Sequence, residues 1–189
     1  FPTVADRAAW DAIRHTLGQA EVARILARAE EDAQAPVPAL TATQYLDFLR
    51  TGARDTYERP AHRRRETLWN LTLAECLENQ GRFLDPILDV AWAICEESSW
   101  AWPAHQSQLT DVHRPVLDLS VAMTALVLAE LDLLLGRRLD PALGHRIRAE
   151  VDRRCLRPYL ARHDMWWLHG SGRKNGALNN WTAVCTGGI

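Results

Sequence analysis

The chain has 189 residues, 47% of them hydrophobic and 24% charged, with a formal net charge of -2. That length and apolar content suit one soluble globular domain with a sizeable core. The near-neutral balance excludes a global field that would draw the protein to nucleic acid or to an anionic membrane. No apolar run reaches the ~18 uncharged residues that span a bilayer, because Val116 to Leu135 carries Asp118, Glu130 and Asp132.

Up to residue 165 the pattern predicts helices joined by short turns, with no sustained period-two alternation. Asp6 caps a helix that carries Trp10, Ile13 and Leu17 and ends at Gly18. A second helix runs from Ala20 to about Asp32 on a stripe of Val22, Ile25, Leu26 and Ala29. After the stiff Pro36-Val37-Pro38 linker, Thr43 caps a short helix bearing Tyr45, Phe48 and Leu49, closed by Gly52. Pro60 to Asn79 forms a long helix with Leu68, Leu71 and Cys76 on its apolar face and Gly81 at its end. The basic cluster at its start, Arg59, His62, Arg63, Arg64 and Arg65, reads as a solvated face.

Asp85-Pro86 restarts the chain in a helix with Ile87, Val90, Ile94 and Cys95 inward. Pro115 opens a nearly all-apolar helix that reaches Leu135 and stops at Gly136. Asp140-Pro141 leads a further helix to Pro158, where it kinks or ends. Six or seven antiparallel helices result. A helix as apolar all round as Val116 to Leu135 needs neighbours on every side, which favours a barrel or multilayer of helical hairpins.

Cys76, Cys95, Cys155 and Cys185 are widely spaced and show no zinc-finger or CxxC pattern, so no metal site is expected. They read as buried small apolar residues, with a Cys76 to Cys95 bridge geometrically conceivable.

Three loops differ from the rest of the chain. The segment 96–106 holds Glu96, Glu97, Trp100, Trp102 and His105. Tryptophan faces stack on pyranose rings while polar neighbours meet the hydroxyl rims, so the loop suits a sugar; equally, the two indoles plug the end of the bundle. The segment 163–170 holds Trp166 and Trp167, and the terminus opens with Asn179, Asn180 and Trp181. Between these lies a basic, glycine-rich turn with Arg173 and Lys174. An asparagine at a helix start either donates its amide to a carboxylate or caps the helix. Glu96 and Glu97 are sequence neighbours and do not face each other across a cleft as glycoside hydrolysis requires.

The segments Phe1-Pro2-x-Val4-x-Asp6-Arg7-x-x-Trp10, Leu68 to Cys76, Ile94-Cys95-Glu96-Glu97-Ser98-Ser99-Trp100, Pro103-Ala104-His105 and Asn179-Asn180-Trp181-x-x-Val184-Cys185-x-Gly187-Gly188 resemble the helical domain of heparinase II/III-like proteins. The resemblance covers almost the whole chain. It implies an all-α fold whose antiparallel hairpins form part of an incomplete (α/α)6 toroid, within a longer protein whose β-sandwich region lies beyond Ile189. It also implies β-elimination on a uronic-acid polysaccharide or oligosaccharide, with no cofactor and with an acidic saccharide as partner. Asn180 is then the group that neutralises the C5 carboxylate, supported by Asn179. Some members carry histidine directly after this asparagine, where this chain has Trp181. Trp100, Trp102, His105, Trp166, Trp167, Trp181 and Arg173 are expected to line the substrate cleft. A non-catalytic helical carbohydrate-binding or scaffold protein of the same fold is the rival.

Overall fold

The computed structural model describes residues 2–162, 164–168 and 179–189, and among them all regular structure is helical. In chain order the α-helices are α1 (Arg7–Leu17), α2 (Gln19–Gln34), α3 (Ala42–Thr51), α4 (Asp55–Glu78), α5 (Leu84–Glu96), α6 (Leu119–Leu135), α7 (Pro141–Val151), α8 (Arg157–Ala161) and α9 (Asn180–Gly187). Short 3-10 turns occupy Pro103–His105 and Gly136–Arg138.

The expected caps at Asp6 and Asp140 are present, each carboxylate accepting from a backbone N–H of the first turn. Elsewhere the boundaries shift. Thr41, not Thr43, caps α3, because Thr41 and Gln44 form a reciprocal capping box. α4 starts at Asp55 and carries Pro60 inside it, and α5 starts at Leu84, so Asp85 lies in its first turn. α6 begins at Leu119, four residues after Pro115, because the Asp118 side chain accepts from Val121 N–H. Pro158 does not end its helix. The chain widens into a π-helical turn over Asp152–Leu156 and continues to Ala161, which accommodates a proline that has no N–H to donate.

α4 packs against α1, α2, α3, α5 and α6, and α6 also packs against α7 and α9. These two helices therefore organise the core. Leu68, Leu71 and Leu77 of α4 meet Ile87 and Ile94 of α5, Leu128 and Leu131 of α6 and Ile147 of α7 in one continuous cluster. With its following 3-10 turn, α6 is 20 residues long and apolar enough to cross a membrane by length and composition. Half of it is buried against the neighbouring helices, as a core helix requires.

Charged side chains close the helix ends. Arg7 donates to the carbonyls of Cys76 and Leu77 at 2.7 and 3.1 Å, and Arg14 donates to Leu77 O at 2.8 Å, so two α1 arginines satisfy the orphan carbonyls of α4. At the end of α5, Arg154 donates to Cys95 O at 2.9 Å and to Glu97 O, pairs with Glu150 and lies 4.7 Å from the Trp100 ring. Burial pulls the Arg154 guanidinium below its usual range. Burial alone would raise the Glu150 carboxyl, but hydrogen bonds from Arg154 and Arg153 hold it below the ordinary carboxylate value.

Of the basic cluster on α4, Arg59 and His62 are exposed as a solvated face requires, but Arg63, Arg64 and Arg65 turn to carboxylates of the fold. Arg65 makes a bidentate pair with Glu97, both contacts 2.6 Å, and Arg64 donates to the same carboxylate at 3.1 Å. Arg64 also donates to Pro38 O and Ala93 O, while Arg65 Nε reaches Thr124 of α6. Arg63 pairs with the buried Asp32 of α2. These three arginines are thus an internal clamp that joins α2, the linker before α3, α5 and α6. Glu96 faces elsewhere and accepts from the Trp92 indole.

All four cysteines are free and buried, so no Cys76 to Cys95 bridge forms. Burial raises their thiols, Cys95 and Cys155 to about 11 and Cys76 and Cys185 to about 12. An unfolded thiol titrates near ~8.5. The stability linked to these protonated thiols is therefore complete below about pH 8.5 and is lost as pH rises through 11 to 12. We expect a thiol reagent at pH 8 to label none of the four in the native protein and all four in urea, with the urea midpoint falling from pH 9 to 11. Labelling of any one without denaturant would contradict this burial.

Candidate functional site

The loop between α5 and α6 is built on Asp118, which is 0% exposed. Its Oδ1 accepts from Val121 N–H at 2.9 Å and caps α6. Its Oδ2 accepts from Trp102 N–H at 2.9 Å and contacts His105 Nδ1 at 2.6 Å. One carboxylate thereby fixes a helix start, a loop backbone and an imidazole. The 3-10 turn Pro103–His105 sets the histidine three residues beyond Trp102, with His105 N–H donating to Trp102 O.

α9 supplies the other wall. Asn179 is its N-cap, and its side-chain oxygen accepts from Trp181 N–H at 2.8 Å and Thr182 N–H at 3.3 Å. The capping role considered for Asn180 therefore belongs to its neighbour. Asn180 is exposed in the first turn and makes no side-chain hydrogen bond among the described residues. Thr182 Oγ1 donates to Trp167 O at 2.6 Å and ties α9 to the segment before it. The Trp181 ring meets the His105 imidazole edge to face, with centroids 4.5 Å apart, and meets the Trp166 ring at 5.1 Å.

A cleft of about 380 Å³ lies between these walls and is lined by His105, Trp166, Trp181, Val116, Arg162 and Asp164, among others. A second cavity of about 410 Å³ shares His105 and Arg162 and extends to Gln106 and Arg114. Asp164 sits on this rim. Hydrogen bonds from Arg162 and Arg114 hold its carboxyl down at about 2, so it stays ionised and offsets part of their positive charge.

The four other expected cleft residues separate. Trp100 and Trp167 are each 2% exposed, with indole N–H groups donating to Ile94 O and Leu117 O. Trp100 belongs to the core and is not among the residues lining the cleft, so its expected place there is corrected; Trp167 does lie in the cleft lining beside Trp166, with its ring almost wholly buried. Trp102 is half-buried against His62, with ring centroids 4.6 Å apart, and lines a separate cavity of about 240 Å³ with Arg65 and Met123. Arg173, with Lys174, lies outside the described residues. Asp118, Arg114, Arg162 and Asp164 join the site without having been singled out for it. An aspartate directly before the apolar run that starts at Leu119 was the available sign for Asp118.

Among the described residues no group of three or more histidine, cysteine or acidic side chains could hold a metal ion. No protein-family model and no curated protein matches this chain.

Proposed function

We propose that this chain is the helical part of a lyase that cleaves a uronic-acid-containing polysaccharide or oligosaccharide by β-elimination, its hairpins forming part of an incomplete (α/α)6 toroid. One observation carries this reading. Two segments far apart in sequence meet at a single cleft, one bringing a histidine held by a buried carboxylate and the other the rings of Trp166 and Trp181. Asn180 is exposed at the start of α9 directly before Trp181 and is not itself among the residues lining the cleft.

Each part suits the chemistry. The Trp166 and Trp181 faces take the apolar side of a sugar ring. The Asn180 amide, at the electropositive start of α9, donates to the C5 carboxylate and stabilises the enolate that develops as the C5 proton leaves. His105 accepts that proton. The C5–H electron pair becomes the C4=C5 double bond, and O4 departs with the C4–O4 pair and takes the proton back from the imidazolium. Arg114 and Arg162 attract the anionic chain.

In the complete gene product, Asn180→Ala is expected to lower the rate of near-ultraviolet absorbance from unsaturated uronate by about 100-fold or more, as loss of one transition-state donor does. An unchanged rate would remove Asn180 from the mechanism. Trp166 is 44% exposed beside Trp181, a stacking surface that serves equally in a non-catalytic carbohydrate-binding protein. Binding of uronate oligosaccharides without any absorbance would favour that second reading.

A further inference from the structure

We propose that Asp118 is a positioning residue that locks His105 in the Nδ1–H tautomer, so that Nε2 is the basic nitrogen offered to the cleft. The geometry leaves little freedom. Val121 N–H and Trp102 N–H only donate, so each Asp118 oxygen already acts as an acceptor. With both oxygens engaged as the acceptors of an ionised carboxylate, which has no proton to give, the 2.6 Å contact from Oδ2 to Nδ1 carries its proton on the imidazole.

The rest of the ring faces the other way in chemical terms. Nε2 makes no hydrogen bond among the described residues, and the imidazole lines both adjoining cavities. A histidine that served only to anchor its loop would need just the Asp118 contact. Here the ring also forms the edge-to-face contact with Trp181 that joins the two walls. A carboxylate behind a histidine fixes both the rotamer and the tautomer of the ring and stabilises the imidazolium once a proton arrives.

Asn at position 118 cannot keep all three contacts. If its carbonyl stays on Val121 N–H, its NH2 opposes Trp102 N–H and donates to Nδ1, which moves the ring proton to Nε2. If it turns round, the α6 cap is lost. The catalytic consequence rests on the elimination reading above; the tautomer does not, and it is measured separately.

The test is 15N NMR of histidine-labelled protein at a pH where the ring is neutral, with the His105 resonance identified by its loss in His105→Gln. The wild-type protein is expected to show a protonated Nδ1 and a pyridine-type Nε2, and Asp118→Asn to show an Nε2–H or mixed population. A wild-type Nε2–H ring, or an unchanged tautomer in a folded Asp118→Asn protein, would overturn the proposal. The wild-type spectrum decides even if the variant does not fold. In the complete gene product Asp118→Asn is expected to lower elimination at least 10-fold with KM little changed. If the wild-type gene product eliminates and this variant matches it, the positioning role is overturned. If no form of the gene product eliminates, the lyase reading fails while the NMR result still decides the tautomer.

Discussion

Glu97→Ala is expected to destabilise the protein by roughly 3–5 kcal/mol, the cost of removing one partner from a buried ion pair. The Glu97 side chain is 2% exposed, and its removal strands the guanidinium groups of Arg64 and Arg65 in a site that water barely reaches. Arg64 retains the carbonyls of Pro38 and Ala93. Arg65 keeps only Ala61 O and the Thr124 hydroxyl for a charge that had a bidentate carboxylate. The loss should appear as a lower urea midpoint. Glu97→Gln keeps the volume and one acceptor, so it should fall between wild type and Glu97→Ala. A loss below about 1 kcal/mol for Glu97→Ala would show that the cluster behaves as the exposed basic face its composition suggests.

His105→Ala is expected to lower uronate elimination by about 10²–10⁴-fold in the complete gene product, the range typical of a lost general acid–base group. The fall should lie mainly in kcat, because the stacking faces of Trp166 and Trp181 remain. His145→Ala, on the exposed side of α7, is the control and should leave the rate unchanged. The stability cost of His105→Ala should be modest, since the Asp118 carboxylate keeps its two backbone donors and gains water access at a half-buried position. A rate within about 3-fold of wild type would assign His105 to loop anchoring alone.

Much of the helical order was legible because apolar stripes and cap residues are local signals. Asp6, Gly18, Gly52, Gly136 and Asp140 stand at helix ends as their chemistry dictates. The missed boundaries have physical causes. Thr41 and Thr43 are equally good caps in isolation, and only the Gln44 side chain reaching back to Thr41 N–H at 2.7 Å separates them. Pro60 and Pro115 suggested first turns, yet α4 starts five residues before its proline and α6 four residues after its own.

The site was legible in kind and less so in detail. Tryptophan and histidine marked segments that the fold brings to one cleft, but composition does not say which indole turns inward. Trp166 and Trp167 both line the cleft, yet the first is 44% exposed and the second is buried with its N–H on Leu117 O. Arg64 and Arg65 of α4 were misread for a related reason. Their carboxylate partner lies more than thirty positions along the chain, and no local pattern announces a pairing that only the packing of α4 on α5 and α6 creates.

The most direct measurement is near-ultraviolet absorbance during incubation of the complete gene product, and of residues 1–189 alone, with a panel of uronic-acid polysaccharides and oligosaccharides. The account predicts a rise for the complete gene product on at least one substrate, abolished or strongly reduced by Asn180→Ala and by His105→Ala. No rise on any uronate, with the protein folded and the sugars bound, would contradict the lyase assignment and leave the cleft as a binding surface.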